Sequence, residues 1–149
     1  MLFADEKPKV VVELGTYVGY SAIMFADAMR QAAGGSSAGL RLWSLEADPL
    51  IASIAMNYIE LADLSDIVTV VVGPANDSLK RRSAEGKLTS VDLMFIDHIK
   101  DLYVPDLKLS NSSGSFTLVL WCSRIMWCIL GRRHTGSLSV GARSMRAGG

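Results

Sequence analysis

Short β-branched runs alternate with longer segments of helical period along the first two thirds of the chain, and this alternation constrains the fold more than any other feature. The apolar runs cover residues 9–14, 40–46, 67–73 and 91–97. Apolar residues recur at helical spacing over 20–33 and 49–64, and a polar helix is predicted over 77–85. The order βαβαβαβ predicts an α/β fold with a doubly wound, mostly parallel sheet, right-handed crossovers and helices on both faces.

The helical spacing also predicts which side chains face the core. In the first helix the apolar positions at helical spacing are Ile23, Phe25, Ala26, Met29 and Ala33. In the second helix the residues predicted to face inward are Ile51, Ile54, Ala55, Tyr58 and Leu61. Each of these helices therefore has one apolar face that can pack on a sheet.

Charge and cysteine content limit the classes of function. The chain has 149 residues with 15 Lys or Arg and 15 Asp or Glu, and this balance argues against nucleic acid or an anionic membrane as an obligatory partner. Residues 1–106 hold 9 basic and 15 acidic side chains, whereas residues 107–149 hold 6 basic and no acidic ones. Two cysteines, Cys122 and Cys128, are too few for a disulfide framework and lack the neighbours of a zinc site. No leader-like segment precedes the first strand, so we expect a soluble, cytoplasmic chain.

Acidic residues stand at the ends of three of the four predicted strands, namely Glu13, Glu46 and Asp97. A single acid there is commonly a solvated rim residue, but ligands of doubly wound sheets bind at this edge, where the strand order switches. The first turn, "ELGTYVG", lacks the G-x-G-x-x-G pattern because Gly15 and Gly19 are four residues apart with Tyr17 between them, which disfavours a pyrophosphate cradle. An acid at this turn attracts a cationic group such as an ammonium, and Glu46 suits the two hydroxyls of a ribose. Together they predict a site for S-adenosylmethionine.

Four stretches of the chain resemble the catechol O-methyltransferases. They are, in order, "VELGTYVGYSA", "SLEADP", "VTVVVGPAND" and "DLMFIDHIKDLYVPDL". The resemblance covers about residues 8–109 and implies a Rossmann-like core that transfers a methyl group from S-adenosylmethionine to a hydroxyl of a catechol, with Mg²⁺. We therefore predict a methyltransferase core over 1–109 and a divergent, basic and poorly ordered tail over 110–149.

The resemblance implies roles for individual residues in holding the cofactor. Those around its methionine part are Glu13, Gly15, Tyr17 and Ser21, with Ser21 helping to hold the carboxylate. Those around its nucleoside part are Glu46 at the ribose hydroxyls and Ala75 and Asn76 near the adenine. Asp97 and His98 flank the cofactor, and Ile99 stands where the family often has a tryptophan.

The resemblance also implies a metal ligand and a base. Asp97 is the implied magnesium ligand, and Lys100 is the implied general base for the catechol hydroxyl. Free phenols ionise near pH ~10, and a bound cation both stabilises a phenolate and lowers the pKa of a nearby amine. The alternative for "DHIKD" is a solvated strand end with a local Asp/Lys pair.

The tail departs from the family's pattern. The family's further metal ligands lie in an Ala-Asp-Asn-Val stretch after the fifth strand, which is predicted near 116–121, but no acidic residue follows Asp106. In a displaced reading frame the codons of residues 126–128 must encode Val-Val, and permitted codons around them allow Ala-Asp-Asn-Val-Val-Tyr-Pro-Gly. Our hypothesis is that residues from about 110 onward are read in a displaced frame. With the family's N-terminal helices also expected to be missing, this chain is predicted to be impaired as an enzyme.

Three alternatives to a catechol O-methyltransferase remain open at the level of sequence. The first is a non-catalytic fragment that binds S-adenosylmethionine. The second is an RNA methyltransferase that uses the Arg-rich tail, although aromatic and basic residues are not interleaved there as on an RNA-binding sheet. The third, a dehydrogenase, lacks the glycine fingerprint. The predicted partner is a small-molecule catechol, with no nucleic acid and no membrane, and the sequence does not predict an oligomeric state.

Overall fold

The computed structural model describes residues 2–97, 116–123, 126–132 and 138–142, with side-chain surroundings for residues 3–97. The helices are α1 (Leu2–Glu6), α2 (Tyr20–Ala32), α3 (Pro49–Leu61) and α4 (Ala75–Ala84). The strands are β1 (Val10–Leu14), β2 (Arg41–Glu46), β3 (Val68–Val72), β4 (Val91–Ile96), β5 (Phe116–Ser123), β6 (Met126–Arg132) and β7 (Leu138–Ala142). Of the helices in these ranges, none combines the length and the apolar character needed to cross a bilayer.

The seven strands form one sheet in the order β3-β2-β1-β4-β5-β6-β7. Strands β1 to β5 pair in parallel, whereas β6 and β7 are antiparallel to their neighbours. The chain runs outward from β1 through β2 to β3 and then returns to place β4 on the other side of β1. The predicted doubly wound, mostly parallel sheet is therefore confirmed, and its strand order switches between β1 and β4.

The part of the chain after residue 109 contributes strands that the sequence predicted only in part. Strand β5 begins at the predicted position and runs to Ser123, whereas β6 and β7 were not predicted. Side-chain burial and contacts are described for residues 3–97 and therefore not for these three strands. The boundary between a core over 1–109 and a tail over 110–149 stays a prediction.

Two apolar layers cover the two faces of the sheet because strand side chains alternate in direction. On one face α2 and α3 pack over strand residues that include Val11, Leu42 and Phe95. On the other face Leu79 of α4 packs with strand residues that include Val12, Leu14, Leu45 and Ile96. The prediction of helices on both faces is thereby confirmed.

Helix α2 buries most of the residues that its spacing predicted, except Ala33, which follows the helix and is exposed, and α3 departs further from its prediction. Phe25, Ala26 and Met29 of α2 are buried. In α3 the prediction that Tyr58 and Leu61 face inward is wrong, because these side chains are 51% and 83% exposed. The residues of α3 that are buried are Ala52, Ala55 and Ile59. Helix α3 therefore rests on a mostly small-residue face and leaves part of its apolar side uncovered.

Gly19 approaches α3 closely at Ala55, one of the buried small residues of this helix. Gly19, the N-cap residue of α2, has φ +86°, and a Cβ built on it would lie 3.2 Å from the Cβ of Ala55. Only a residue without a side chain combines that backbone conformation with this contact. The small face of α3 is thus held against the start of α2.

Replacing Gly19 with alanine should lower the free energy of unfolding by about 2 kcal/mol, because the side chain meets both a left-handed backbone and a tight contact. Gly34→Ala is the matched control, since Gly34 has φ +69° but no atom within 4 Å of the added Cβ. We expect about 1 kcal/mol for the control in urea denaturation. Equal losses for both variants would show that α3 gives way to the new methyl group without cost.

Candidate functional site

Three strand ends bring the predicted acids together at the point where the strand order switches. Leu14 of β1 is paired with Leu45 of β2 on one side and with Ile96 of β4 on the other. Each of these strands continues directly into a residue of the predicted site: Gly15 after β1, Glu46 at the end of β2 and Asp97 after β4. A hydrogen bond joins the ends of β4 and β1, because the Asp97 N–H donates to the carbonyl oxygen of Leu14 at 2.9 Å.

The carboxylate of Glu46 bridges two turns of this edge. Its Oε2 accepts the Tyr17 N–H at 2.8 Å, and its Oε1 accepts the Asp48 N–H at 3.0 Å. Tyr17 has φ 49°, so the turn after β1 contains a non-glycine residue in the left-handed region. Glu46 is only partly buried, and each carboxylate oxygen keeps acceptor capacity for a further hydroxyl.

The turn after β1 is held against β2 by its main chain as well. The N–H groups of Gly15 and Thr16 donate to the carbonyl oxygen of Leu45 at 3.0 and 3.2 Å. The Tyr17 side chain is 69% exposed, so its ring is accessible beside this edge.

Glu13 is fully buried and both of its carboxylate oxygens accept hydrogen bonds. The Ser21 hydroxyl donates to Oε1, and the Ser44 hydroxyl donates to Oε2 at 2.5 Å. Burial raises the pKa of Glu13 to about 7, with smaller increases from the charges of Asp97 and Glu46, and the two hydroxyl donors oppose the rise.

Two residues of this cluster, Ser44 and Thr16, were missed by sequence reasoning. Their hydroxyl oxygens lie 2.6 Å apart, and both residues are buried. Ser44 is paired with Glu13 across the two strands. The available signal was a serine inside the apolar run "RLWSLE", since a buried hydroxyl needs a hydrogen-bond partner.

The start of α4 contributes the residues predicted near the adenine. Ala75 and Asn76 open α4 directly after β3, and the Gly73 N–H ties this turn to the carbonyl oxygen of Glu46 at 2.8 Å. Within the part of the chain that the structure describes, Asn76 Oδ1 is a buried acceptor with no hydrogen-bond partner. An unpaired buried acceptor costs free energy unless a group donates to it.

The predicted metal and base residues are described only in part. Asp97 is exposed at the switch point, whereas His98, Ile99 and Lys100 lie outside the described residues. Among residues 2–97, no three His, Cys, Asp or Glu side chains are grouped so that they could hold a metal ion. Mg²⁺ prefers six oxygen ligands, so the described residues do not by themselves form a magnesium site.

The fold places the chain among the Rossmann-like α/β proteins, with a site at the carboxyl edge of the sheet. The family of proteins described as O-methyltransferase matches residues 1–109. The chain therefore belongs to the O-methyltransferase family.

The chain is similar to mammalian catechol O-methyltransferases and to a bacterial O-methyltransferase of known structure. Catechol O-methyltransferase from Sus scrofa is 36% identical over 110 residues, which are 74% of this chain and 55% of that protein. Catechol O-methyltransferase from Bos taurus is also 36% identical over 110 residues, which are 38% of its length. The crystal structure of the O-methyltransferase from Bacillus cereus in complex with SAH superposes with a TM-score of 0.70 at 32% identity, over 80% of this chain and 51% of that one. This chain thus spans about half or less of the length of these relatives.

Proposed function

We propose that this chain binds S-adenosylmethionine and belongs to an enzyme that methylates a hydroxyl of a catechol with Mg²⁺. The observation that carries the proposal is the position of Glu46 and Asp97 on either side of the turn after β1 at the switch point, with the buried Glu13 beneath that turn in β1. Acidic groups gathered at one edge favour a cofactor that carries a sulfonium and an ammonium. The catechol as substrate is supported by the 36% identity to catechol O-methyltransferases. A cytoplasmic location and a small-molecule partner are part of the same proposal.

The residues present fit this cofactor group by group. The Glu46 carboxylate is proposed to accept the ribose hydroxyls, and Asn76 is proposed to lie near the adenine. Ser21 is proposed to lie at the amino-acid part, where its oxygen can accept from the ammonium because its hydrogen is donated to Glu13. Gly15 and Tyr17 are proposed to lie along the methionine part of the cofactor. Ala75 is proposed to lie near the adenine, and His98 is proposed to flank the cofactor. When bound, the cofactor supplies an electrophilic methyl group on its sulfonium.

The remaining roles concern the catechol and the metal. Lys100 is proposed as the base that accepts the proton of the reacting hydroxyl, and it follows Asp97 by three residues. Asp97 is proposed as one magnesium ligand, and the tail as read has no acidic residue at the place of the family's further ligands. Because the described residues do not complete a metal site, dependence on Mg²⁺ rests on the family resemblance alone.

Replacing Glu46 with alanine should weaken the binding of S-adenosylhomocysteine by about 1.5–3 kcal/mol, or roughly ten- to a hundredfold in Kd. The variant loses the proposed acceptor of the ribose hydroxyls and also the bridge between the Tyr17 and Asp48 amides. Isothermal calorimetry measures the change, and Glu60→Ala, which removes an exposed acid of α3, is the control. An unchanged affinity in the Glu46 variant would remove this residue from the site.

A second candidate is a non-catalytic chain that binds the same cofactor. It is favoured if the tail over 110–149 is genuine as read, because no acidic residue after Asp106 adds a ligand for Mg²⁺. Assays of methyl transfer to catechol, with and without Mg²⁺, separate the two candidates when they are combined with calorimetry. Turnover that requires Mg²⁺ supports the enzyme, and binding of S-adenosylhomocysteine without turnover supports the second candidate.

A further inference from the structure

A chain of hydroxyl groups runs from the turn after β1 to the first turn of α2 through the carboxylate of Glu13. Its members, in order, are Thr16, Ser44, Glu13 and Ser21. Thr16, Ser44 and Glu13 are buried, whereas Ser21 is partly exposed at the start of α2. Ser21 is thus the member of the chain through which the buried carboxylate meets the candidate cofactor site.

The number of protons in this chain determines its direction. Each hydroxyl has one hydrogen to donate, and the Ser44 hydrogen is directed to Glu13 Oε2. When Glu13 is ionised, Ser44 can therefore only accept from Thr16, so Thr16 donates to Ser44 and Ser44 donates to Glu13. Ser21 donates to the other oxygen, which orients its lone pairs and its side chain. Each of the three hydroxyl hydrogens then has an acceptor inside the protein.

The backbone of the turn does not depend on this hydroxyl chain. The Gly15 and Thr16 amides bond to Leu45 O, and the Tyr17 amide bonds to the Glu46 side chain. Losing the Ser44 hydroxyl should therefore leave the turn in place and act on the direction of the Glu13 and Ser21 side chains. A buried carboxylate oxygen that loses its hydrogen-bond donor costs free energy. The Glu13 side chain is therefore expected to change its orientation when the Ser44 hydroxyl is removed.

We infer that Ser44 and Thr16 are positioning residues that act through Glu13 to hold the Ser21 hydroxyl in place for the amino-acid part of the cofactor. The inference rests on the proposed function, because it assigns Ser21 to that part of the ligand. If the inference holds, loss of the Ser44 hydroxyl weakens only ligands that carry the amino-acid part. Loss of a serine that only stabilises the sheet would weaken all ligands of the site alike.

Two ligands that differ only in the amino-acid part test this selectivity. S-adenosylhomocysteine carries the amino acid, and 5′-methylthioadenosine has the same adenosine and thioether without it. For Ser44→Ala we expect the Kd of S-adenosylhomocysteine to rise roughly five- to tenfold and that of methylthioadenosine to stay within about twofold. Ser44→Thr, which keeps the hydroxyl, should restore most of the affinity. Equal weakening of both ligands, or of neither, would overturn the inference.

A double-mutant cycle tests whether Ser44 acts through Ser21. In a chain that already carries Ser21→Ala, the further change Ser44→Ala should alter the affinity for S-adenosylhomocysteine by less than about twofold. Independent, additive losses would mean that Ser44 does not act through Ser21 and would contradict the inference.

A second variant covers the case in which Ser44→Ala does not fold. Thr16→Val removes the outermost hydroxyl with little change in shape and leaves both donors to Glu13 in place. It should weaken S-adenosylhomocysteine selectively and by a smaller factor, about two- to threefold, and the absence of selectivity would overturn the inference. Failure of the unmodified chain to bind either ligand would instead refute the proposed cofactor.

Discussion

Between pH 4.5 and pH 8 the free energy of unfolding of this protein should fall by about 3 kcal/mol relative to that of a Glu13→Gln variant. Burial raises the pKa of Glu13 from 4.5 to about 7 in the folded state, so the folded protein binds more protons than the unfolded chain in this range. The stabilisation by the protonated carboxyl is complete below pH 4.5 and is lost as the pH rises through about 7.

Urea denaturation of both proteins at several pH values measures this difference. Glu60→Gln, which alters an exposed acid of α3, is the control and should follow the unmodified protein at every pH. Parallel stability curves for the unmodified protein and the Glu13 variant would mean that Glu13 ionises near its ordinary pKa. The hydroxyl donors would then fully offset the effect of burial on this pKa.

Truncating Phe25 to alanine should lower the free energy of unfolding by about 3–5 kcal/mol. The Phe25 ring lies between the stacked ring of Phe3, at 5.3 Å between centroids, and the edge-on ring of Phe95, at 4.8 Å. It thereby joins α1, α2 and β4 in one aromatic cluster, and its removal leaves a cavity at the centre of that face.

Chemical denaturation of Phe25→Ala and of the neighbouring variant Met24→Ala gives the comparison. Met24 lies on the exposed side of α2, so its truncation should cost less than about 1 kcal/mol. A loss for Phe25→Ala as small as that of the control would show that the cluster of three rings contributes little to stability.

The site was predictable where it depends on strand ends. Acids that end parallel strands meet at one edge whatever the packing of the helices, so Glu46 and Asp97 could be placed together from the pattern alone. The hydrogen-bond partners could not be placed in this way. Ser44 meets Glu13 because β1 and β2 pair in one register, and a run of apolar residues does not specify a register between two strands.

The sequence by itself determined the order of the strands and helices from β1 to β4, and the acidic edge, but it did not predict α1 before β1. These features follow from local periodicity and from the rule that connects parallel strands. Only the tertiary structure decided which part of the apolar side of α3 is buried, leaving Tyr58 and Leu61 exposed. Helical spacing defines an apolar sector, but packing against the rest of the fold selects the residues of that sector that are buried. Only the tertiary structure, likewise, closed Glu13 off from solvent and directed three hydroxyls into one chain, because burial and hydrogen-bond direction depend on neighbours distant in sequence.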